Sequence, residues 1–269
     1  HFMSNVALIT GASSGIGKST ADFLSNKNYT VYGTGRNPKN SENDSFSLIS
    51  LDVTKLDSIQ KAVDYIINKE GRIDVLVNNA GMGITGSIED TPTDEMRKVF
   101  DTNFFGAIDV MKAVLPHMRK QQSGTIINIT SITGYLALPY RGVYSATKGA
   151  LGLVTEAIRM EAKEFGIKMA TIAPGEVATN VAAGRYYTPI LENSAYKEKY
   201  QINLNLMNDH VDSGLDPVKV AQQIYKIINL NQPKVHYKVG GFMDKISITL
   251  KRILPSKIFE KLLMNRYKL

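Results

Sequence analysis

The chain has no cysteine. Disulfides, thiolate nucleophiles, iron–sulfur clusters and cysteine-ligated zinc are therefore excluded. Histidine is scarce, with four in all and one of them the first residue, so no metal site is assigned. No apolar run reaches the roughly 18 residues that a membrane-crossing helix needs. The N-terminus has no basic stretch followed by an apolar one, so no secretory leader is expected and a cytoplasmic location is the default. His1 and Phe2, ahead of Met3, read as a cloning remnant. Internal repeats and low-complexity linkers are absent as well.

What remains is ordinary globular composition: 269 residues, 43% hydrophobic and 21% charged. That is enough to bury a core without staples, and it reads as one domain with or without an appendage. The charge is unevenly spread. Of 32 Lys+Arg and 25 Asp+Glu, residues 231–269 hold nine basic and two acidic, leaving 23 and 23 for residues 1–230. The net charge of +7 belongs to the tail, and the body is not built to bind nucleic acid.

Short apolar runs alternate with longer helical patterns. Val6–Ile9, Thr30–Tyr32, Phe46–Ile49, Val75–Val77, Thr125–Ile129 and Met169–Ile172 read as strands. Their near-continuous apolarity suits a parallel sheet covered on both faces. Helical patterns lie near 15–27, 55–70, 93–120, 142–166 and 217–229, and a seventh strand is read over Lys234–Val239. The alternation predicts an α/β fold, a doubly wound parallel sheet. Two regions break the rhythm. Residues 37–45 are polar and read as a loop. Residues 176–213 read as a long, irregular, tyrosine-containing insertion, and loops of that length are usually functional.

The first strand runs into Thr10-Gly11-Ala12-Ser13-Ser14-Gly15-Ile16-Gly17, and a helix follows. Glycines let the backbone turn tightly beside a pyrophosphate, and the helix N-terminus offers free N–H groups. The alternative is a purely structural strand–helix turn. The second strand then ends Gly33-Thr34-Gly35-Arg36. No acid is present to take the ribose 2′-hydroxyl of NAD, whereas a guanidinium suits the 2′-phosphate of NADP. NADP(H) is favoured and NAD(H) stays open, as does a solvated surface arginine.

Tyr144 and Lys148 stand at i and i+4 on one helix face. A neighbouring ammonium and an oxidised nicotinamide favour phenolate, so such a tyrosine can exchange a proton with a carbonyl oxygen or an alcohol. Ser131 follows the fifth strand, at the end where doubly wound sheets bind ligands. Its hydroxyl could hold the substrate oxygen where charge develops. A packed tyrosine or a surface pair is the alternative.

Taken in order, several stretches resemble the short-chain dehydrogenase/reductase family, in its single-domain NAD(P)-dependent branch. They are Thr10-Gly11-x3-Gly15-x-Gly17, Asp52-Val53, Asn78-Asn79-Ala80-Gly81, Asn103, Ser131, Tyr144-x3-Lys148 and Pro174-Gly175-x-Val177-x-Thr179. The resemblance implies a Rossmann-type sheet of about seven strands, in the order 3-2-1-4-5-6-7. It implies hydride transfer between a nicotinamide and a carbonyl/alcohol pair. Tyr144 would be the acid/base, with Lys148 lowering its pKa and holding the nicotinamide ribose. Ser131 would orient the substrate oxygen, and Asn103 would help to place a water in a proton relay. Gly11, Ser13, Ser14, Gly15, Ile16 and Gly17 would cradle the pyrophosphate. Asp52 and Val53 would flank the adenine, and Asn79, Ala80 and Gly81 would lie beside the adenosine ribose. Pro174, Gly175, Val177 and Thr179 would hold the carboxamide side of the nicotinamide. A homodimer or homotetramer, paired through the helices of Asn103 and Tyr144, is also implied. Local readings stay open: Asn78 and Asn79 can serve backbone groups, and Asn103 can bond within its own helix.

Substrate choice falls to Ile132–Arg141, Met82, Ile84 and the Tyr186-Tyr187 pair. These are mostly apolar, so a hydrophobic ketone or aldehyde fits better than a sugar phosphate. The expected domain spans residues 3–240, and 241–269 form a basic amphipathic extension. There Ile246, Leu250, Ile253 and Leu254 share one helical face, and Ile258, Phe259, Leu262 and Leu263 another. Such helices are expected to clip onto the domain, or to make a peripheral contact with anionic lipid. The extension looks like that of hydroxysteroid and retinol dehydrogenase relatives. The function expected is NADPH-dependent reduction of a lipophilic ketone or aldehyde. The alternatives are alcohol oxidation, reduction of carrier-bound 3-ketoacyl groups, a non-catalytic dinucleotide sensor and a membrane-surface protein.

Overall fold

The apolar runs form strands that are covered on both sides. In chain order they are β1 (Val6–Ile9), β2 (Thr30–Gly35), β3 (Ser47–Ser50), β4 (Val75–Asn78), β5 (Ile84–Thr85), β6 (Gly124–Ile129), β7 (Ile167–Pro174), β8 (Tyr186–Tyr187) and β9 (His236–Val239). The structure, a computed structural model, describes residues 4–38, 45–177, 184–209 and 214–269. Seven strands make one parallel sheet in the order β3-β2-β1-β4-β6-β7-β9. Counted within that sheet, this is the expected 3-2-1-4-5-6-7. β5 and β8 pair apart from it.

The helices are α1 (Gly15–Ser25), α2 (Leu56–Glu70), α3 (Thr93–Phe100), α4 (Gly106–Gln121), α5 (Gly142–Glu161), α6 (Lys197–Asp209), α7 (Pro217–Ile228), α8 (Phe242–Ile253) and α9 (Ser256–Arg266). Successive strand residues point to opposite layers. Leu8, Leu76, Ile126 and Met169 pack with Ile59, Val63 and Ile66 of α2 and Val110, Met111 and Val114 of α4. Their neighbours Ile9, Val77, Ile127 and Ala170 pack with Ala21 and Leu24 of α1 and Val220, Ile224 and Ile227 of α7. This two-sided burial is why the strands read as unbroken apolar runs rather than alternating ones.

The chain winds outward in both directions from β1 and β4, so their carboxyl ends open a crevice. A buried polar chain ties that crevice to α5. Asn78 Nδ2 donates to Asn128 Oδ1 at 2.9 Å, and Asn128 Nδ2 donates to Thr155 Oγ1 at 2.8 Å.

Three elements depart from expectation. The helix read over 93–120 is interrupted by a π-helical turn at Asp101–Phe105. Within the insertion read as irregular over 176–213, β8 and α6 form. The buried side of α6 is Tyr200, Asn203 and Met207, spaced for one helix face but broken by a polar residue, so no apolar period marks it. In the extension, the side chains that bury are Ile248 and Phe259, packed with Ile132, Leu136, Leu138 and Ala173. Leu250, Leu254, Leu263 and Tyr267 pack against this cluster, while Ile253, Ile258 and Leu262 face outward. Among the described residues no helix is long and apolar enough to cross a membrane.

Candidate active site

The glycine-rich turn between β1 and α1 is a shape that side chains would fill. Gly11 and Gly15 have φ of 67° and 57°, where glycine carries no Cβ penalty. A Cβ on Gly17 would run into the Gly11 carbonyl and the Asn79 amide. Thr10 fixes the turn to the end of β4: its Oγ1 accepts from the N–H groups of Asn79 and Ala80, each at 3.0 Å. Asn79 Nδ2 donates back to the Thr10 and Gly11 carbonyls, both at 3.0 Å. Asn79 thus holds backbone, the local reading left open by the sequence. Ser14 enters α1 extended, its hydroxyl makes no cap, and the first turn has no acid. The first N–H groups of α1 and its positive dipole end are left for an anion.

Around this turn lies a cleft of about 600 Å³. Gly11, Ser13, Ser14, Gly15 and Ile16 line one end, with Arg36, Asp52 and Val53 beside them and Asn79, Ala80 and Gly81 below. Ser131, Tyr144, Lys148, Pro174, Gly175 and Val177 line the other end. Gly17 and Asn103 sit behind the wall, and Thr179 lies outside the described residues. Arg36 is exposed at the rim and forms no ion pair within 4.0 Å among the described residues. Burial raises the Asp52 carboxyl, but hydrogen bonds from the Thr54 N–H (3.0 Å) and hydroxyl (2.8 Å), with Lys55 and Arg36 nearby, outweigh it and hold the group below the usual carboxylate range. These residues fit a dinucleotide: the cradle has no room for side chains, and a free cation marks the adenosine end.

At the reacting end, α5 supplies Tyr144 and Lys148. Burial pushes the Tyr144 phenol above its usual value, opposed by a hydrogen bond with Ser131 and by the Arg185 and Arg141 guanidinium groups. Lys148 is buried, which brings its ammonium down to about 8. Its Nζ donates to the Ile129 carbonyl at 2.9 Å and lies 5.9 Å from the Tyr144 ring centre. The groups that lower the phenol are Ser131, Arg185 and Arg141 rather than the expected Lys148, and burial outweighs them, so the resting tyrosine carries its proton. Ser131 Oγ accepts from the N–H and the hydroxyl of Thr133, at 3.2 and 3.0 Å. Asn103, at the centre of the π-helical turn, holds both backbone groups of Met82, accepting from its N–H at 2.8 Å and donating to its carbonyl at 2.9 Å. It also donates to Thr147 Oγ1 at 3.2 Å. Its bonds run outside its own helix, to the loop after β4 and to α5.

The substrate side is walled by Met82, Ile84, Ile132, Leu136 and Leu138. Tyr186 and Tyr187, which form β8 against β5, are not among the residues that line it. Arg185, just before them, does, as do Met207 of α6, Met243 and Ser247 of α8 and Leu263, Arg266 and Tyr267 at the chain's end. Of these, Leu263 alone was singled out by sequence, as part of the tail's second apolar face: an isolated arginine in a loop carries no signal, and the tail's other wall residues are not its regular apolar positions. Asp244 lines the cleft as well, with its carboxylate where a Cβ on Gly175 would stand.

A parallel sheet with its cradle at the switch point, and a tyrosine–lysine–serine set at the other end of one cleft, define a dinucleotide-dependent oxidoreductase of the Rossmann type. The family model for short chain dehydrogenase matches residues 5–188. A 3-ketodihydrosphingosine reductase of Bacteroides thetaiotaomicron is 39% identical over 257 residues, 95% of each chain. A short-chain dehydrogenase from Streptomyces avermitilis superposes with a TM-score of 0.80 at 33% identity, covering 93% of this chain and 95% of that one. The solved structure of ElxO with NADP bound gives 0.73 at 29% identity, covering 89% and 98%. The chain belongs to the short-chain dehydrogenase/reductase family, whose members are NAD(P)-binding oxidoreductases.

Proposed function

We propose that this protein is an NADPH-dependent reductase of a lipophilic ketone or aldehyde, with residues 3–240 as its domain and 241–269 as a helical extension. The observation that carries the reading is Tyr144. Burial keeps its phenol protonated against the lowering pull of Ser131, and both side chains lie in a cleft that also holds the glycine cradle. A carbonyl reduced by hydride needs a proton on its oxygen, and a positioned phenol supplies one. NADPH supplies the hydride when bound. Ser131 orients the carbonyl oxygen and stabilises charge on it as the bond order falls. Lys148 and the Arg185 and Arg141 guanidinium groups stabilise the phenolate left behind. Asn103 holds the Met82 loop and α5 in register, a positioning role through which a water relay would run.

Arg36 supports NADPH over NADH, since it is the rim cation and no acid stands in its place. The apolar wall supports a lipophilic substrate, as does similarity to a chain named a reductase of 3-ketodihydrosphingosine. Pairing through α4 and α5 as a homodimer or homotetramer is part of the reading.

The test is a carbonyl panel run with NADPH and with NADH, following the absorbance of the reduced nicotinamide. It spans short polar ketones, long aliphatic aldehydes, steroid ketones and retinal. Turnover with NADPH that rises with substrate apolarity is expected. Silence across the panel, with NADPH still bound, would overturn the substrate reading and leave the dinucleotide site standing.

A further inference from the structure

The outer surface of the C-terminal extension is unusual in two ways at once. Of eighteen large hydrophobic side chains exposed among the described residues, six lie on α8 and α9: Phe242, Met243, Ile253, Ile258, Leu262 and Met264. Phe242 and Ile253 are 76% and 72% exposed, more than a folded surface needs. The same stretch is strongly basic. Residues 241–269 hold seven basic side chains and two acidic ones, and one of the acids, Asp244, is turned back onto the Gly241 N–H at 3.0 Å.

The two features share faces. On α8, Phe242, Thr249 and Ile253 stand at i, i+7 and i+11, with Lys245 and Arg252 alongside them. On α9, Ile258 and Leu262 are one turn apart, beside Lys257 and Lys261. None of these four cations is in an ion pair among the described residues. Next to these exposed positions, Ile248 of α8 and Phe259 of α9 anchor the helices to the domain. Met243, Ser247, Leu263 and Tyr267 meanwhile form part of the wall of the cleft.

We propose that the outer face of α8 and α9 docks on an anionic lipid surface, placing the mouth of the substrate cleft against the bilayer. Apolar side chains between unpaired cations match an interface where acyl chains lie just beneath acidic headgroups. A second copy of this chain fits poorly. A twofold contact sets a patch against itself, here cation against cation, and lysine is depleted from protein interfaces. The docking stands on this surface alone. Delivery of a lipophilic substrate through the docked mouth rests on the reductase reading above.

The experiment is co-sedimentation of the full chain with vesicles of phosphatidylcholine alone and of phosphatidylcholine and phosphatidylglycerol in equal parts. Binding to the mixed vesicles is expected, weak on the neutral ones and falling as salt is raised. The triple variant Lys245→Gln, Lys257→Gln, Lys261→Gln should weaken binding on the order of a hundredfold, from about fivefold for each cation at the surface. The double variant Phe242→Ser, Ile253→Ser should lose binding to both vesicle types. Turnover of a short, water-soluble ketone reports that both variants are folded and should match the parent. A long-chain ketone carried in mixed vesicles should be reduced faster by the parent than by either variant. Equal binding to neutral vesicles, no binding at all, or variants that bind like the parent overturn the proposal. So does a change in oligomeric state of the variants without a change in vesicle binding. Vesicle binding without turnover of any carbonyl would sink the reductase reading and leave the docking intact.

Discussion

Tyr144 stands between opposing influences: burial raises its pKa, while Ser131, Arg185 and Arg141 lower it. The sum leaves a proton on the phenol at neutral pH, which suits reduction. Tyr144→Phe should therefore lower kcat by about 10²–10⁴-fold and leave NADPH affinity, measured by fluorescence titration, near the parent value. Lys148 has the opposite problem. Its pKa falls to about 8 because its ammonium is buried. The folded state then binds fewer protons than the unfolded state between about 8 and the ordinary lysine value, so this group makes stability rise with pH across that window. Below it the full cost of the buried charge is present. Lys148→Met should raise the thermal midpoint near neutral pH and remove the rise at alkaline pH, while abolishing turnover. In the parent, kcat/KM for reduction should fall as pH climbs through about 8, where the cation that steadies the phenolate is lost. At the adenosine end, Arg36→Asp should cut the NADPH-to-NADH ratio of kcat/KM by at least about tenfold, the scale of one charge-assisted hydrogen bond. An unchanged ratio would place the 2′-phosphate on another residue.

Elements matter here through where they stop. β1 ends at Ile9 and α1 begins at Gly15, and the turn between them survives only if nothing projects into it. Gly17→Ala should disturb the Gly11 carbonyl and the Asn79 amide together. The expected result is a loss of about 1–3 kcal/mol of stability with cofactor affinity falling more than stability does, read by denaturant unfolding alongside titration. The turn was legible because glycine spacing is a direct consequence of its shape. The sheet was legible for the same kind of reason: β1, β4 and β6 are covered on both faces, so nearly every residue in them had to be apolar. α6 was not, because its buried side runs through Tyr200 and Asn203. Tyr200 lends its hydroxyl to the Thr85 carbonyl at 2.9 Å, and Asn203 donates to the Tyr267 carbonyl at 3.2 Å. Polar groups used this way erase an apolar period. The π-helical turn was equally silent: its Asn103 bonds to Met82, a contact that only the tertiary structure brings together. In the site, motif residues with fixed spacing converged, whereas Arg185 and the tail's wall residues depend on how distant segments meet.

On the scale of the whole molecule, the cleft is closed by parts far apart in sequence. The loop after β6 supplies Ile132, Leu136 and Leu138, and the extension supplies Ile248 and Phe259, together one apolar cluster. α6 is latched to the chain's end by Asn203, and by Lys199 Nζ donating to the Lys268 carbonyl at 3.4 Å. The cradle at the other end touches none of this. The two halves of the cleft should therefore be separable by one substitution. Phe259→Ala removes the aromatic anchor of α9 and should cost about 3 kcal/mol, seen as a lower urea midpoint with an unchanged m-value. Because Leu136 and Leu138 lose their backing, KM for a lipophilic ketone should rise, while KM for a short polar ketone and the affinity for NADPH stay close to the parent values. A rise in both ketone KM values would mean that the extension supports the Ser131–Tyr144 geometry itself. No rise in either would reduce α9 to a cover over a finished pocket. The expected split, a lipophilic penalty alone, follows from the side chains that α8 and α9 place in the wall, none of which carries the proton donor.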